Sequence, residues 1–341
     1  MFKNTDISKI PPGLLSGCKA TSAPRSEFQV DDRAGWASFH FISAMTSKSV
    51  QVSIDEHPMW IYAIDGQYVQ PQQVDSFLVY NGERYSVLVK LDKPGDKYTI
   101  RVANNIPDQL IAGYATLAYN GRKSKHNSLP SINYAGVPVS NSTRVLDPNT
   151  LRPFNQAPPS NHVDATYVVS MGRYGSNWQW TLNNQSTFSL PLQNLNPPLL
   201  YSKNPAHAGD DALVIRTKNN TWVDIVLQVT LGPQNPAQPP HPTHKHGNKG
   251  YLIGGGTGLF NWTTVAEAQK VVPQFFNIST AVKRDTFTTP AVLFSPAWVV
   301  MRYHVVNPGA FLLHCHIQTH LAGGMAMALL DGVDAWPNLK Q

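Results

Sequence analysis

Residues able to bind metals are concentrated near the carboxyl-terminal end of the chain. Seven of the 12 histidines fall between residues 241 and 320, and one of the two cysteines lies among them. Imidazole nitrogen and thiolate sulfur are common protein ligands of zinc, copper and iron. Two short motifs carry all of these residues except His304: HPTHKH, with His241, His244 and His246, and HCHIQTH, with His314, Cys315, His316 and His320. Their spacing predicts a metal-binding function.

Strand geometry would divide these residues between two sides of a sheet. In a β-strand, residues two apart point the same way and adjacent residues point oppositely. His314 and His316 therefore share one face, with Cys315 on the other, and the same rule separates His241 from the two histidines that follow it. The two predicted sites contain His241, Cys315 and His320 on one side, and His244, His246, His314 and His316 on the other. Cys315 would hold one metal while the adjacent residues His314 and His316 hold another. The peptide bonds between them would give electrons a short covalent route from one metal to the other.

The first of these sets has the ligands of a copper site. One thiolate, two imidazoles and a weak axial methionine make the blue-copper arrangement, and Met325 lies five residues beyond His320. A Cys-His-His set can also bind zinc, but structural zinc sites usually contain more thiolates and catalytic ones need no methionine. We therefore expect copper, with Met325 as the axial ligand. Met327, His304 and His57 are expected to be ordinary packing residues.

The composition favours an all-β fold that positions these motifs. Charged residues make up 14% of the 341-residue chain, against roughly 25% in an average soluble protein. The 27 prolines and 23 glycines supply many strand ends and turns. Alternating apolar residues such as Val50, Val52 and Ile54 mark short strands, and a short helix is expected near Thr264 to Lys270.

The chain is long enough for two domains of ordinary size. Strand periodicity fails between about residues 121 and 162, where the sequence is rich in proline, serine and asparagine. So long a stretch without strand patterns favours an interdomain linker. We predict one β-sandwich or barrel domain over 1–121, a linker over 122–162 and a second β domain over 163–341.

Several functional classes are not supported by the sequence. The net charge is +6, but the only basic cluster longer than a pair, Arg122 to Lys125, is interpreted as solvated linker, so nucleic-acid binding is not expected. No apolar run reaches the roughly 20 residues that span a bilayer, and the first residues lack the apolar core of a signal peptide. Five Asn-x-Ser/Thr sequons nevertheless point to the secretory route and a glycoprotein: Asn141, Asn184, Asn219, Asn261 and Asn277.

The two histidine motifs resemble the carboxyl-terminal copper motifs of multicopper oxidases, the family of laccases, ascorbate oxidase and ferroxidases. HPTHKHG is similar to His-Pro-x-His-x-His-Gly, and NPGAFLLHCHIQTHLAGGM to the family's His-Cys-His signature. The stretch from VSIDEHPMW to YSVLV is similar to the second cupredoxin domain, and RDT at 284–286 also recurs in the family. GLFNWTTVAEA and LLDGVDAWP resemble fungal laccase-like enzymes, including those that oxidise phenolic precursors of pigments and other secondary metabolites. The resemblance covers nearly the whole chain.

The resemblance implies two cupredoxin-like Greek-key domains and a copper-dependent oxidoreductase. It implies one-electron oxidation of small phenolic or naphtholic substrates, coupled to reduction of dioxygen to water. An axial methionine should lower the type 1 potential compared with leucine or phenylalanine. The implied ligands are His241, Cys315, His320 and Met325 for type 1 copper, His244 for type 2 copper, and His246, His314 and His316 for the type 3 pair. No membrane or nucleic-acid partner is implied, and the oligomeric state stays unknown.

The sequence also departs from the family pattern. A complete member has a first domain with two further His-x-His pairs, and no such pair precedes His244 here. We therefore expect the chain to represent the second and third domains of a secreted or cell-wall-associated parent. On its own it should bind type 1 copper and reduce oxygen poorly. Asn248 and Gln318 stand where many relatives have histidine and an acid, and Cys18 is expected to be an unpaired disulfide half or a free thiol.

Two alternatives stay open at this point. A ferroxidase would use the same copper centres, but it relies on carboxylates beside the type 1 histidines, which the sequence alone does not place. A truncated, non-catalytic copper-binding or electron-transfer module would keep the type 1 ligands without oxygen chemistry.

Overall fold

The computed structural model describes residues 21–104, 110–121, 126–175, 179–183, 187–231 and 237–339. The chain divides into two compact units, the first ending at Phe154 and the second beginning at Asn155. Each unit consists mainly of two β-sheets, so the all-β prediction is confirmed. None of the helices in these described ranges is long and apolar enough to cross a membrane.

The described residues of the first unit form nine strands in two sheets. The strands are β1 (Glu27–Val30), β2 (Trp36–Ile42), β3 (Val50–Ile54), β4 (Met59–Ile64), β5 (Gln67–Val74), β6 (Ser76–Val79), β7 (Arg84–Lys90), β8 (Lys97–Asn104) and β9 (Ala112–Tyr119). One sheet has the order β1-β9-β8-β3-β6, and the other β2-β7-β4-β5. Among its described residues there are also two 3-10 turns, Asp32–Ala34 and Pro148–Thr150.

Apolar side chains from both sheets form the core of the first unit. In β7 the buried positions alternate with more exposed ones, as expected for a strand with one face turned to the core. The ring of Phe77 from β6 lies 5.4 Å from that of Phe41 and 5.1 Å from that of Tyr85, both on the other sheet. These contacts make the unit a β-sandwich.

Part of the stretch predicted as a linker is packed onto the first unit. Val145 bridges to Ser76 of β6, and Pro153 bridges to Val69 of β5, so residues 144–154 cover the outer strands of both sheets. Ile132, which also lies in the predicted linker, is completely buried. The following residues belong to the second unit, where the Tyr251 hydroxyl donates to the carbonyl of residue 157. Isolated bridges and single apolar contacts leave no strand periodicity, which explains why the sequence pattern suggested a linker.

In the part of the second unit that the structure describes there are eleven strands and three helices. The strands are β10 (Ala165–Arg173), β11 (Trp180–Thr181), β12 (Val214–Arg216), β13 (Trp222–Val229), β14 (Pro242–Lys245), β15 (Gly250–Thr257), β16 (Val282–Arg284), β17 (Thr286–Thr288), β18 (Ala297–His304), β19 (Gly309–Cys315) and β20 (Ala326–Asp331). The helices are α1 (Leu190–Gln193), α2 (Val265–Val271) and α3 (Gln318–Ala322). The 3-10 turns are Leu199–Tyr201, Pro205–His207, Asp211–Leu213, Pro273–Phe275 and Val333–Ala335.

These strands form a six-stranded sheet, β11-β10-β13-β18-β15-β16, and a five-stranded sheet, β12-β20-β19-β14-β17. Strands β13 and β18 are buried along almost their whole length because the six-stranded sheet has an apolar cluster on each face. Helix α2 lies in the outer cluster, where it covers the ring of Trp298. Its first turn is capped by Thr264, whose side chain accepts a hydrogen bond from the Glu267 N–H. This helix agrees with the one predicted near residues 264–270.

Candidate metal centre

The pairing of β14 with β19 brings the two histidine motifs together. The strands are antiparallel, with Thr243 opposite Cys315 and His244 opposite His314. Cys315 is the last residue of β19, and the chain then turns into α3, which carries His320. Two segments about 70 positions apart in the chain therefore meet at a single point of the five-stranded sheet.

On the inner side of this sheet, His241, Cys315 and His320 form a compact cluster. The Cys315 Sγ lies 3.8 Å from the His241 Nδ1 and 3.6 Å from the His320 Nδ1, and the two Nδ1 atoms are 3.2 Å apart. Ligands in a trigonal plane around one metal, at ordinary metal–nitrogen and metal–sulfur lengths, lie about 3.5–3.7 Å apart. The three side chains therefore fit a single ion. Within the described residues this is the one group of three whose ligand atoms all lie within 4.8 Å of one another.

Burial determines the protonation of this cluster when no metal is bound. His241 and Cys315 are completely buried, and His320 is 7% exposed. Burial raises the pKa of the Cys315 thiol to about 12 and lowers that of His320 to about 3. The pKa of His241 also falls well below its ordinary value for the same reason. The site therefore holds neutral imidazoles and a neutral thiol, and a metal cation would stabilise the thiolate that replaces the thiol.

The predicted axial residue is held next to this cluster by its backbone. Met325 is completely buried and belongs to the same apolar core as Cys315. Its carbonyl accepts a hydrogen bond from the Cys315 N–H at 3.1 Å, and its own N–H donates to the His320 carbonyl at 2.9 Å. These bonds keep its backbone beside two of the three clustered residues. The axial role of its sulfur stays a prediction.

An aromatic side chain that the sequence analysis did not select covers the cluster. The ring of Trp180, in β11, stacks on His320 with centroids 3.7 Å apart and an interplanar angle of 22°. It also meets the His241 ring edge-on at 5.7 Å. The Arg173 guanidinium lies 5.6 Å from the centroid of Trp180 on the ring face. Nothing in the local pattern NWQW could reveal this contact, because it depends on a bond from the Trp180 N–H to the distant Gly323 carbonyl.

On the opposite side of the same strands, four histidines come together. The Nε2 atoms of His246 and His314 are 3.2 Å apart. Ring centroids of the neighbouring pairs within the group are separated by 4.8 to 6.0 Å. His314 is buried, His244 and His316 are half-buried, and His246 is exposed. This four-histidine group is therefore looser and more open than the three-residue cluster.

A hydrogen bond orients one of these four imidazoles, and a carboxylate lies beside a second. The Nδ1 of His314 lies 2.9 Å from the Cys315 carbonyl, to which it donates, so its Nε2 is left as the ligand atom. The Nδ1 of His244 lies 3.5 Å from a carboxylate oxygen of Asp285. This contact likewise leaves the Nε2 of His244 as the available ligand atom. Burial, followed by the neighbouring imidazoles, lowers the pKa of His314 to about 4, although the Cys315 carbonyl opposes this shift. The pKa of His246 is also lowered, mainly because part of its ring is shielded from water and then because of the neighbouring His244 and His316. These shifts favour neutral imidazoles at His246 and His314, as metal ligation requires.

The residues expected to be ordinary packing residues have that role. His304 stacks on Trp222 at 4.7 Å, and its Nε2 lies 2.9 Å from the Asn220 Oδ1. The Nδ1 of His57 bonds the carbonyl of residue 55, and its Nε2 bonds the hydroxyl of residue 119. Met327 lies in the apolar core of the second unit. Cys18 lies outside the described residues.

Comparison with known proteins identifies the family. Two family models, each described as multicopper oxidase, match residues 16–122 and 176–335. The chain belongs to the multicopper oxidase family. Membership implies copper as the cofactor, in agreement with the His-Cys-His cluster.

Fungal members of this family are similar along almost the entire chain. Laccase abr2 of Aspergillus fumigatus is 46% identical over 97% of this chain, which covers 56% of that protein. Multicopper oxidase GIP1 of Gibberella zeae is 44% identical over 97% of this chain, and VdtB of Byssochlamys spectabilis is 43% identical over 98%. These alignments cover 49% and 50% of the two relatives. The chain thus spans about half the length of the curated multicopper oxidases it matches.

Solved multicopper oxidases share the fold. The laccase from Botrytis aclada has a TM-score of 0.71 at 21% identity, over 95% of this chain and 57% of that one. Fet3p, a multicopper oxidase that functions in iron import, has a TM-score of 0.70 at 18% identity, over 93% of this chain and 60% of that one. The two β-sandwiches are therefore cupredoxin-like.

Proposed function

We propose that this chain is the substrate-oxidising part of a laccase-like multicopper oxidase. The reaction is one-electron oxidation of phenolic or naphtholic substrates, such as precursors of pigments or other secondary metabolites, coupled to reduction of dioxygen to water. The observation that carries the proposal is the back-to-back arrangement of two imidazole groups on β14 and β19. Cys315 belongs to the inner cluster, while its bonded neighbours His314 and His316 belong to the four-histidine group.

Each side chain has a separate role in this proposal. His241, Cys315, His320 and Met325 would hold a type 1 copper, His244 a type 2 copper, and His246, His314 and His316 the type 3 pair. Bound copper supplies the one-electron redox chemistry that the protein side chains lack. The covalent path from Cys315 to its neighbours is supplemented by the hydrogen bond from the His314 Nδ1 to the Cys315 carbonyl.

The oxygen half of the reaction needs more ligands than this chain carries. The only His-x-His pairs in its sequence are His244 with His246 and His314 with His316. Further histidines would have to approach the open side of the four-histidine group, where His246 is exposed. The isolated chain should therefore take electrons from a phenol but consume little oxygen.

A secreted or cell-wall-associated location fits the sequons. Among the described residues, the sequon asparagines Asn141, Asn261 and Asn277 are exposed, so a glycan could be attached without unfolding. Asn219 is half-buried, and Asn184 lies outside the described residues.

The electrostatics of the type 1 side favour an organic electron donor over iron. Iron oxidation would require carboxylates beside the type 1 histidines to bind the cation. Within the described part of the chain, the charged group that lowers the pKa of His320, after burial, is the cation Arg173. A cation near the point of electron entry repels Fe²⁺ and tolerates a neutral or anionic phenol.

The test is anaerobic reduction of the copper-loaded chain. A phenol such as 2,6-dimethoxyphenol gives up one electron and its hydroxyl proton, becoming a phenoxyl radical, while one Cu²⁺ becomes Cu⁺. We expect the blue thiolate absorption to bleach at least about tenfold faster with this phenol than with equimolar Fe²⁺. Faster bleaching by Fe²⁺ would favour the ferroxidase, and the absence of a blue band would remove the proposal.

A further inference from the structure

Lys245 is a buried cation in the strand between two of the proposed copper ligands. It follows His244 and precedes His246, and its side chain points to the core face of β14 with zero exposure. A lysine ammonium is rarely buried, because removal from water costs several kcal/mol unless hydrogen bonds and charges compensate. The contacts around its Nζ therefore indicate what this side chain does.

Oxygen atoms from the turn after β14 surround the Lys245 ammonium. The Nζ lies 3.1 Å from the carbonyl of His246, 3.2 Å from the carbonyl of Asn248 and 3.2 Å from the Asn248 Oδ1. Three N–H donors thus face three oxygens of a single tight turn. The Asn248 Nδ2 in turn donates to the carbonyl of His304, which fastens the turn to β18.

A second layer compensates the charge from the core side. The Asp331 Oδ2 lies 3.6 Å from the Lys245 Nζ, and the Tyr303 ring centroid lies 4.2 Å from it. The other Asp331 oxygen accepts hydrogen bonds from the hydroxyls of Thr217 and Tyr303 at 2.9 Å each. The network therefore contains one cation and one anion, both completely buried.

The geometry of this network determines the direction of the His246 side chain. The ammonium draws the His246 carbonyl inward, and the His246 N–H is fixed by the carbonyl of Leu312 in β19. With both peptide groups held, the side chain points outward, where its Nε2 meets that of His314 at 3.2 Å. Gly247 has a φ of 82°, and a Cβ there would lie 3.1 Å from the Phe311 ring, so the turn leaves little freedom.

We propose that Lys245, together with Asn248, is a positioning residue that holds His246 in the four-histidine group. The proposal rests on the proposed function, in which His246 is a copper ligand. It also assigns a role to Asn248, whose side chain contacts the Lys245 Nζ and the carbonyl of His304. Neither residue belongs to the inner cluster or to the four-histidine group. They act by fixing the backbone on both sides of a ligand, as residues behind metal ligands commonly do.

The direct test uses metal-free protein, so it does not depend on copper chemistry. In histidine-selective ¹⁵N NMR, the ring N–H shared by His246 and His314 should exchange with water at least about tenfold faster in Lys245→Met than in the wild type. Asp331→Asn is the matched control, because the amide oxygen still accepts from the two hydroxyls while the buried anion is lost. Its thermal stability should fall, yet the ring N–H should exchange within about threefold of the wild-type rate. Equal exchange in Lys245→Met and the wild type, or equal acceleration in both variants, would refute the positioning role.

Copper titration tests the functional consequence. With the blue site already filled, Lys245→Met should bind a second Cu²⁺ at least about tenfold more weakly, while Asp331→Asn is unchanged and the blue band is intact in both. If Lys245→Met does not fold, Asn248→Ala removes one of the three oxygens and the bond to His304, and a weakening of about threefold to tenfold is expected. Affinity that falls only in proportion to thermal stability contradicts the inference. A wild-type protein with no second copper refutes the four-histidine copper site and leaves the NMR result to decide on Lys245.

Discussion

The two sides of β14 and β19 carry similar ligands in different environments. The inner cluster of His241, Cys315 and His320 is buried, and its ligand atoms lie no more than 3.8 Å apart. The outer four-histidine group has ring centroids up to 6.0 Å apart and includes an exposed imidazole. Alternation along one strand thus separates a compact, buried group of potential ligands from a looser and more exposed one. Each prediction below changes one side and asks whether the other responds.

Removal of the Cys315 thiolate should have the largest effect. In Cys315→Ser the blue thiolate absorption should disappear completely, because Cys315 is the one cysteine among the described residues. Copper bound by the four-histidine group should persist, as measured by electron paramagnetic resonance. Thr243→Val, at the position opposite Cys315 on β14, is the control and should stay blue. A variant that keeps its colour would rule out the inner site.

The reciprocal change removes ligands from the outer side. His246→Ala combined with His314→Ala should weaken binding of the second copper at least about 100-fold, since second-shell changes alone typically cost 10–100-fold. The blue band should be unchanged. His304→Ala, a histidine stacked on Trp222 outside both groups, should alter neither site. Loss of colour in the double variant would mean that the two sides are not separable.

Acid should destabilise the metal-free protein by protonating one histidine of the four-histidine group and one of the inner cluster. The pKa values of His314 and His320, about 4 and about 3, lie below the 6.5 of an unfolded histidine. The unfolded chain therefore binds more protons, and stability is complete above pH 6.5 and falls as the pH drops toward 4. Each histidine should cost about 3 kcal/mol by pH 4. Urea unfolding at pH 7 and at pH 4.5 measures the loss. His320→Gln should reduce it, and an unchanged pH dependence in that variant would contradict the assignment.

Replacement of Trp180, which covers the inner cluster, should have the smallest effect. Trp180→Leu should retain the copper but admit water beside His320, which stabilises Cu²⁺ relative to Cu⁺. We expect the reduction potential to fall by about 60 mV, a tenfold change in the equilibrium constant for one electron. Trp180→Phe keeps a ring in place and should shift the potential less. Redox titration that finds the same potential in all three proteins would show that the stack does not tune the site.

Much of this contrast could be predicted from local sequence. The alternation of His314, Cys315 and His316 gave the two faces correctly, because side-chain direction in a strand is a local property. Trp180 and Lys245 were not predicted, since their roles depend on contacts that only the folded chain creates. Residues 144–154 were expected in a linker because single bridges to β5 and β6 leave no periodic signal. Features that depend on neighbouring residues in the chain could be predicted from the sequence, and features that depend on tertiary contacts could not.

Copper titration of the metal-free chain, followed by absorbance and electron paramagnetic resonance together, tests the central claim most directly. If the inner cluster is completed by this chain alone, the first equivalent of Cu²⁺ should produce an intense blue band that saturates at one copper per chain. Later equivalents should bind to the four-histidine group and add electron paramagnetic resonance signals without increasing the blue absorption. A first equivalent that binds without the blue band would contradict the account.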